Sequence, residues 1–300
     1  MCYFTVFTPT YNRAYCLERL KDSLLAQTFT DFEWLIIDDG STDNTEDLVC
    51  GWQDLNLRIK YFKKVNGGKP RAINFGLQKA NGRFFFLMDS DELLVPDALK
   101  KMYIWCKEIE NEDMIIGVGA AKGYPNGKYL KGSAPYIPLN GYIDAAHLDR
   151  DLYNLDADMG EAYKTDLFKK FPMAEWPGEN FAPEQIALYQ TSLAGYKLRW
   201  HSDIIYIIDY LEDGLTKNSR ILEKKNPMGY SMMYNHMLLY PRRTFWQKFN
   251  YACQSSALAI YGKNPKYILS SNKPALSIIS LPLAMVLAVR RSLQYKKIQG

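Results

Sequence analysis

Short runs of apolar and β-branched residues alternate with segments of helical periodicity in the first third of the chain. Continuous apolar runs predict four buried strands, at residues 3–7, 34–37, 59–62 and 84–88. Helical periodicity between these runs predicts three helices, at residues 14–27, about 44–52 and 69–80. Strands that alternate with helices of this length favour an α/β fold with a mostly parallel central sheet and helices on both of its faces.

The pattern continues less regularly after residue 95. Further strands are predicted at residues 114–118, 156–163 and 197–208. Further helices are predicted at residues 96–108, 165–170 and 185–194, the last of them with Gly195 as its C-terminal cap. Two segments rich in Gly and Pro, 119–138 and 176–184, are expected to be loops, and residues 210–215 are expected to close the α/β body.

Three acidic residues follow the most apolar of the predicted strands. The run Phe84 to Met88 leads into Asp89, Asp91 and Glu92 within four positions. Like charges at the end of a buried strand cost free energy unless a divalent metal or a basic ligand compensates them. The cluster therefore indicates a metal-dependent site, and a solvated acidic turn is the alternative when the cluster is considered alone.

A second acidic pair stands at the end of another predicted strand. Asp38 and Asp39 follow the apolar run Trp34 to Ile37. Ligands collect at the carboxyl ends of the strands in open α/β sheets. We therefore expect this pair and the Asp89/Asp91 pair to face one cleft.

The number and spacing of the cysteines and histidines argue against disulfide and zinc chemistry. The five cysteines are scattered, without a Cys-x-x-Cys pair, which argues against a disulfide framework and a zinc site and favours a reducing compartment. The three histidines lack metal-ligand spacing, so any metal is expected to have oxygen ligands. His201 is expected to be structural, with a further metal ligand as the alternative. The first eight residues do not have the pattern of an export signal.

Charge divides the chain into an acidic body and a basic tail. Residues 216–300 contain 14 Lys and Arg residues and a single acid, Glu223, for a net charge of +13. Residues 1–215 contain 23 basic and 32 acidic residues, for a net charge of −9. We therefore expect an α/β domain over residues 1–215 and a basic, helical extension over residues 216–300.

The basic tail contains one nearly continuous apolar segment. Residues 275–289 are apolar except at Ser277 and Ser280, also contain Pro282, and precede Arg290 and Arg291. Fifteen residues are fewer than the roughly 20 that a spanning helix needs. A helix lying in an anionic membrane surface is favoured, where each nearby Lys or Arg contributes about 1 kcal/mol. Packing on the body is the main alternative, and no nucleic-acid-binding motif accompanies the charge.

Two glycine-rich segments imitate nucleotide-binding motifs. The segment Gly117 to Gly123 has the wrong last spacing for a dinucleotide fingerprint and leads into a turn rather than a helix. The sequence Gly67-Gly68-Lys69-Pro70 lacks the first glycine and the Ser or Thr of a P-loop. Neither segment is therefore assigned to its motif, although Lys69 remains a candidate phosphate contact.

Six motifs occur in a fixed order along the first hundred residues. They are Thr8-Pro9-Thr10-Tyr11-Asn12-Arg13, Gln27-Thr28-Phe29, Asp31-Phe32-Glu33, Ile36 to Asp43, Lys69 to Gly76 with Asn74, and Asp89-Ser90-Asp91. Each motif alone is moderately specific, and the order makes the combination very specific. In this order the chain closely resembles the inverting nucleotide-sugar glycosyltransferases of family 2, which have the GT-A fold. The resemblance is dense over residues 1–97 and thinner to about residue 215.

The resemblance implies how a nucleotide-sugar donor is bound. The turn at Thr8, Pro9 and Tyr11 corresponds to the family's pocket for the nucleotide base. Asp39 corresponds to the carboxylate that accepts a hydrogen bond from the uracil N–H, a role that suits a group with acceptors only. Lys69 would add positive charge near the diphosphate; a solvated helix start is the alternative for this residue.

The resemblance also implies a bound cation. Asp91 corresponds to the residue that binds Mn²⁺ or Mg²⁺ directly, and Asp89 to a neighbour near the ribose and the metal. The cation would offset the charge that builds on the diphosphate as the sugar–phosphate bond breaks. Glu92 is expected to be a helix-start charge or a supporting neighbour of these two ligands.

Inversion also requires a base that takes the proton from the acceptor hydroxyl. In the family this residue is usually the Asp of a Glu-Asp pair, about eleven residues before a Gly-Tyr. Glu184 lies eleven residues before Gly195-Tyr196, but within a Pro-Glu pair, and Gln190 stands where the family usually has Arg. Glu184 is the base that the resemblance implies. Glu179, in the same loop, and an inactive or altered site are the alternatives.

The expected function is a metal-dependent transfer of a sugar, with inversion, from a nucleotide-diphosphate donor to a hydroxyl. The resemblance implies UDP as the nucleotide and a glycan or a lipid-linked molecule as the acceptor, as in cell-surface polysaccharide assembly. Asp156, Asp158 and Glu161 lie where acceptor contacts are expected, with a surface charge as the alternative for each. The basic tail would place a cytoplasmic protein at the inner face of the membrane.

Two other classes of protein are alternatives to a glycosyltransferase. A nucleotidyltransferase should carry a Gly-rich, Arg-containing loop after its first strand, and the segment Thr8 to Arg13 is not one. A non-catalytic protein that binds nucleotide sugars or glycans is compatible with the altered base motif and stays open.

Overall fold

The computed structural model describes residues 2–52, 56–138, 141–208 and 219–297. The strands are β1 (Phe4–Thr10), β2 (Phe32–Asp38), β3 (Ile59–Lys63), β4 (Phe84–Leu87), β5 (Glu92–Leu94), β6 (Ile115–Gly123), β7 (Ile143–Ala145), β8 (Met159–Lys164) and β9 (Lys197–Ile208). The α-helices are α1 (Ala14–Leu25), α2 (Thr45–Cys50), α3 (Lys69–Lys79), α4 (Ala98–Glu108), α5 (Thr165–Phe168), α6 (Gln185–Leu193), α7 (Ser219–Lys225), α8 (Pro227–Met237), α9 (Phe245–Tyr261), α10 (Pro274–Ile279) and α11 (Leu281–Lys296). Short 3-10 helices lie at His147–Tyr153 and Pro265–Ile268.

The strands in the described ranges form one mixed sheet, in the order β3-β2-β1-β4-β8-β6-β9-β5, with β7 paired to β9. The first four strands of the chain pair in parallel, as their alternation with helices predicts. β8 runs antiparallel to both β4 and β6, and β5 and β7 run antiparallel to β9. Only parallel pairing requires a long crossover connection, usually an α-helix. β7 and β8 pair antiparallel with their neighbours, and they are accordingly preceded by loops or a short 3-10 helix.

Aromatic side chains fill the core beside the parallel strands. Phe4, Phe84 and Phe86 are fully buried, as is Trp34 on the next strand. The indole N–H of Trp34 donates to Thr8 Oγ1 at 3.0 Å, so its one polar group is satisfied inside the core. Each buried side chain of this size contributes roughly 1.5–3 kcal/mol relative to exposure. The core therefore fixes the three strands whose ends carry the acidic residues.

Both acidic turns emerge at the same edge of the sheet. Thr10, at the end of β1, pairs with Asp38 on β2, and Phe7 of the same strand pairs with Leu87 on β4. The turns that follow β2 and β4 thus leave the sheet on either side of β1. The helix α3 packs closely on β1, since a Cβ added at Gly76 would lie 2.1 Å from a ring carbon of Phe7. This close packing places the N-terminus of α3 at the same edge.

Several element boundaries differ from the sequence prediction. β1 continues to Thr10 because its last residues pair with β2, whereas the apolar run ends at Phe7. The predicted strand 156–163 begins only at Met159. The rejected dinucleotide motif lies inside β6, which is longer than the predicted strand 114–118 and extends to Gly123. Residues 210–215 lie outside the described ranges.

The contacts within the chain define two compact units. The first consists of Met1–Pro172 with Leu188–Leu211 and contains the sheet. The second consists of Met173–Ala187 with Glu212–Gly300 and contains the helices α7 to α11. The loop at residues 176–184 thus belongs to the same unit as the C-terminal helices. The boundary expected at residue 215 falls outside the described ranges.

The second unit is built around α8, α9 and α11. Thr244 begins α9 with a capping box, accepting from the N–H of Gln247 while the Gln247 side chain accepts from Thr244 N. Ser231 on α8 and Ser255 on α9 exchange side-chain hydrogen bonds to each other's carbonyl oxygens, at 2.8 and 3.0 Å. The apolar segment 275–289 forms two helices, α10 and α11, with Ser280 between them. No helix in the described ranges is both long and apolar enough to span a bilayer.

Candidate active site

Asp39 is held by the loop that precedes α3. Its carboxylate accepts hydrogen bonds from Lys64 Nζ at 2.6 Å, from Gly67 N at 3.0 Å and from Gly68 N at 2.6 Å. Gly68 has φ +92°, a backbone conformation that favours glycine and that turns its N–H toward the carboxylate. Asp39 is 4% exposed, so these three donors compensate a buried charge.

Lys69 joins this loop to the second acidic turn. Its Nζ lies 2.8 Å from Asp89 Oδ1 and 3.0 Å from Asp89 Oδ2. The consecutive residues Gly67, Gly68 and Lys69 therefore contact both acidic turns, one on each side of β1. One residue of each acidic pair, Asp39 and Asp89, is thus brought to the start of α3, and Lys69 is more than a solvated helix start. Asp38 is fully buried and accepts hydrogen bonds from Ser41 N and the Tyr61 hydroxyl instead.

Asp89 and Asp91 differ in their surroundings. Burial would raise the pKa of Asp89, but the positive charges of Lys69, Lys122 and Arg13 together hold this pKa below its usual value. Burial raises the pKa of Asp91, and the neighbouring Asp89 carboxylate raises it further. Arg13 Nη1 lies 3.5 Å from Asp91 Oδ2 and partly offsets that effect. The turn is therefore electrostatically strained at Asp91, where a further cation would be stabilising.

Glu92 belongs to a buried ion-pair network. It begins β5 rather than a helix, and its Oε1 accepts a 2.5 Å hydrogen bond from Lys122 Nζ. Lys122, at 6% exposure, also donates to Asp158 Oδ2 at 2.9 Å. Burial would lower the pKa of Lys122, but Glu92 and Asp158 outweigh it, so this pKa is raised. Lys122 is therefore a buried cation that compensates the third carboxylate of the cluster.

The turn after β1 is shaped by side-chain contacts. Asn12, at φ +54°, accepts a hydrogen bond from Thr42 N at 2.7 Å through its Oδ1. Thr8 is fully buried, and its hydroxyl accepts the hydrogen bond of the Trp34 indole, so its side chain is not available to a ligand. Tyr11 is 48% exposed, and its ring is accessible from solvent. Pro9 continues β1, opposite Ile37 on β2.

The sequence model of the family described as "Glycosyl transferase family 2" matches residues 5–171. This match covers more than half of the chain, including β1 to β8 and both acidic turns. The chain belongs to glycosyl transferase family 2. The resemblance seen in the order of the sequence motifs is confirmed.

Curated relatives of this family 2 protein include enzymes of Staphylococcus aureus. Poly(ribitol-phosphate) β-N-acetylglucosaminyltransferase TarP is 37% identical over 137 residues, or 43% of this chain and 41% of TarP. An uncharacterised glycosyltransferase of Rickettsia typhi is 32% identical over 115 residues, or 38% of this chain and 35% of the relative. These matches span less than half the length of either relative.

Solved structures extend the likeness to nearly the whole fold. S. aureus TarS 1–349, in complex with UDP-GlcNAc, has a TM-score of 0.64 at 19% identity and covers 93% of this chain and 79% of TarS 1–349. Glucosyl-3-phosphoglycerate synthase of Mycobacterium tuberculosis, in complex with Mn²⁺ and UDP, has a TM-score of 0.51 at 18% identity, with 78% and 80% coverage. At this identity the likeness shows the fold, and the expected GT-A fold is confirmed.

The carboxylates of this family 2 site fit a divalent cation only in part. Asp89 and Asp91 offer oxygen ligands, which Mg²⁺ and Mn²⁺ prefer. Burial and the neighbouring Asp89 carboxylate both raise the pKa of Asp91, and a bound cation would oppose both effects. Within the described ranges, no three His, Cys, Asp or Glu side chains are arranged to hold a metal. The pair therefore fits a cation that takes its other ligands from phosphate oxygens and water, as Mg²⁺ commonly does.

The two candidate bases of this family 2 protein both lie in the second unit. Glu184 is half-buried and immediately precedes α6. Glu179 accepts hydrogen bonds from Met228 N and Gly229 N, both at 2.8 Å and one to each carboxylate oxygen. The two carboxylate oxygens of Glu179 are thus engaged at the start of α8, which favours a structural role for it over that of a base.

His201 has the surroundings of a structural residue. It is 5% exposed, and its ring stacks on Trp105 with ring centroids 4.0 Å apart and an interplanar angle of 9°. Burial lowers the pKa of His201 to about 4, which keeps the imidazole neutral at physiological pH. The structural interpretation agrees with these contacts.

Three cations of this site were missed by the sequence reasoning: Arg13, Lys64 and Lys122. Arg13 ends the first of the six motifs, but nothing in its local sequence indicates its partner Asp91. Lys64 follows β3 as Asp39 follows β2, so parallel pairing of the two strands would have suggested the contact. Lys122 carried no local signal, because its partners Glu92 and Asp158 lie 30 and 36 residues away in sequence.

Proposed function

We propose that this protein transfers a sugar, with inversion, from a UDP-linked donor to a hydroxyl of a glycan or lipid-linked acceptor. The observation that carries the proposal is the joining of Asp39 and Asp89 by Gly67, Gly68 and Lys69. This arrangement sets two carboxylates and an ammonium at one sheet edge, where α/β proteins bind nucleotides. Membership of family 2 and the N-acetylglucosaminyltransferase TarP as a relative support the same reaction class.

Asp39 would recognise the nucleobase in this proposal. A carboxylate has about four lone-pair positions, and three donors from the chain occupy positions on Asp39. Gly67 N contacts both oxygens, at 3.0 and 3.2 Å, and an N–H of uracil would share one of these oxygens as acceptor. The exposed ring of Tyr11 and the partly exposed Pro9 would complete the base pocket, with Thr8 supporting the turn from inside the sheet.

Lys69 and Arg13 would meet the diphosphate. Both are held against the acidic turn through Asp89 and Asp91, so their charges are oriented before a donor binds. Asp91, with Asp89, would hold Mn²⁺ or Mg²⁺, which as a Lewis acid stabilises the charge that develops on the leaving diphosphate. Lys69 and Arg13 would stabilise the same charge from the protein side.

Glu184 would act as the base that takes the proton of the acceptor hydroxyl. Its support is the family pattern of an acidic residue eleven positions before Gly195-Tyr196 and its position at the start of α6. A glutamate performs the same proton transfer as the family's usual aspartate, with one more methylene of reach.

Two matched variants test this function. Glu184→Gln is expected to lower transfer by about 10²–10⁴-fold while donor affinity stays unchanged, because only the proton transfer is lost. Asp91→Asn is expected to weaken metal-dependent donor binding as well as turnover. The measurements are steady-state transfer from UDP-sugars to hydroxyl acceptors with Mn²⁺, and calorimetric titration of UDP with and without Mn²⁺.

The results of these measurements distinguish a glycosyltransferase from a non-catalytic protein that binds nucleotide sugars. Glu184→Gln with full transfer activity would refute the assignment of the base. UDP-sugar binding by the wild type without transfer to any acceptor tested would instead favour a non-catalytic binding protein. Asp22→Asn, on the exposed part of α1, serves as the charge-matched control and should leave transfer unchanged.

We further propose that α11 places the protein on an anionic membrane surface. This helix turns Ala284 and Ala288 inward against α9, while its large apolar side chains face outward. Val286 and Val289 are both 62% exposed, and Arg290 is exposed on the same side of the helix. An exposed apolar face with adjacent cations is typical of helices that lie in the interface of a membrane. The proposed site of action is the cytoplasmic face, where lipid-linked acceptors are expected.

A further inference from the structure

The loop that precedes Glu184 is hydrogen-bonded to the N-terminus of α8. A helix begins with backbone N–H groups that have no partner inside the helix. At the start of α8 the first residue is Pro227, and the next two N–H groups, of Met228 and Gly229, donate to the two carboxylate oxygens of Glu179, each at 2.8 Å. The negative charge of Glu179 also suits the positive end of the helix dipole.

Asn226 makes a second contact with the same loop, at the two residues that follow Glu179. Asn226, the residue before α8, accepts hydrogen bonds through Oδ1 from Asn180 N at 2.9 Å and from Phe181 N at 3.0 Å. Its Nδ2 donates to Leu222 O at 2.9 Å, which fixes the orientation of the amide. Asn226 is 4% exposed, so the contact is protected from water.

The fit between loop and helix leaves no space at Gly229. A Cβ added there would lie 2.1 Å from the carbonyl oxygen of Phe181 and 3.0 Å from Ala182 Cα. Both neighbours are backbone atoms, so a side chain at Gly229 can be accommodated only if the loop moves. Glu184 follows two residues after Ala182, and Pro183 between them restricts the backbone.

We propose that Glu179, Asn226 and Gly229 are positioning residues for Glu184, so that α8 sets the location of the base. This inference rests on the proposed function, because it assigns to Glu184 the role of base. It gives the C-terminal unit a part in catalysis in addition to membrane attachment. It also explains why residues 173–187 group with the C-terminal helices.

The test compares Gly229→Ala with Ser255→Ala in the full-length protein. Gly229→Ala is expected to lower kcat by about 100-fold, because a displacement of about 1 Å can cost that much. The donor KM should stay unchanged, because none of the donor-binding residues is altered. Ser255→Ala removes a buried hydrogen bond between α8 and α9 without touching the loop, and should lower Tm but keep kcat. Glu179→Gln keeps one acceptor oxygen and should fall between Gly229→Ala and the wild type.

Amide hydrogen exchange supplies a readout that does not depend on activity. Exchange at Asn180 and Phe181 should accelerate in Gly229→Ala and in Glu179→Ala, but not in Ser255→Ala. Wild-type kcat in Gly229→Ala, or a loss of kcat in Ser255→Ala equal to that in Gly229→Ala, would overturn the positioning role. Absence of transfer by the wild type would instead refute the proposed function, while the exchange rates would still test the anchoring of the loop.

Discussion

At the scale of single residues, the site is a set of carboxylates that each have a cationic partner. Asp39 contacts Lys64, Asp89 contacts Lys69, and Glu92 contacts Lys122. The carboxylates were predictable from sequence, because they follow apolar strands directly. The partner Lys64 could be predicted only once β2 and β3 were paired, and Lys122 could not be predicted, because its partners Glu92 and Asp158 are distant in sequence.

The buried histidine leads to a prediction about acid stability. Burial lowers the pKa of His201 to about 4, below the value near 6.5 of an unfolded chain. Folding therefore favours the neutral imidazole. The contribution of this residue to the free energy of unfolding is fully present above pH 6.5 and is lost as the pH falls from 6.5 toward 4. The loss amounts to about 3 kcal/mol across that interval, at 1.36 kcal/mol per pKa unit.

The substitution His201→Phe keeps a ring on Trp105 and removes the titration. We expect the free energy of unfolding of this variant to fall less steeply than that of the wild type between pH 6.5 and pH 4. Urea unfolding at matched pH values measures the difference. Parallel curves for the two proteins over this interval would show that His201 does not titrate as described.

At the scale of elements, a buried cation ties three strands together. Lys122 at the end of β6 contacts Glu92 at the start of β5 and Asp158 just before β8. Its Nζ also lies 5.0 Å from the centre of the Tyr206 ring on β9. The short strand β5, which follows the acidic turn directly, is thus held by charge as well as by its pairing with β9.

Removing Lys122 should therefore destabilise the first unit. Lys122→Met leaves the Glu92 carboxylate buried without its cation, and breaking such a pair costs about 3–5 kcal/mol. Adding Glu92→Gln to this variant should recover part of that loss. Lys131→Met breaks an exposed pair with Asp156 and serves as the control, with an expected cost of about 0–1 kcal/mol. Urea unfolding measures all three variants, and equal costs at Lys122 and Lys131 would contradict the buried pair's role.

Element boundaries were predicted well where apolar periodicity determined them and poorly elsewhere. β9 has the predicted bounds, because its long apolar pattern leaves little choice. The segment 275–289 was predicted as one helix and forms two, since a run of apolar residues does not reveal that the helix is interrupted at Ser280, two residues before Pro282. β1 exceeds its apolar run because pairing with β2, a tertiary contact, sets its end.

At the scale of the whole molecule, the charge pattern predicts two parts of the chain, and the contacts within the structure define two units with different boundaries. The acidic body and basic tail predicted one boundary near residue 215. In the structure, residues 173–187 group with the C-terminal helices although they lie within the acidic part. Charge pattern cannot reveal such a grouping, because it depends on hydrogen bonds between backbone groups distant in sequence.

The outward apolar face of α11 should govern membrane binding. The double variant Val286→Asp/Val289→Asp places two acidic groups on that face and is expected to abolish flotation with vesicles that contain anionic lipid. Val65→Asp alters an 89% exposed apolar residue of the first unit and serves as the control. Vesicles of neutral lipid should bind the wild type more weakly, since the basic residues contribute about 1 kcal/mol each at an anionic surface.

Two results would contradict this role of α11. Undiminished flotation of the double variant would place the contact elsewhere. Loss of a dimer in analytical ultracentrifugation, without any change in flotation, would show that α11 binds a second copy of the chain instead of lipid.

The fastening of residues 179–181 to the start of α8 has a consequence for biosynthesis. The loop leaves the ribosome some 45 residues before Asn226, Met228 and Gly229. At about 5–20 residues per second, the nascent chain spends several seconds with this loop translated but its hydrogen-bonding partners at α8 still unmade. The proposed base would thus reach its working position only after α8 has been translated, so a chain that ends before α8 is expected to lack transfer activity.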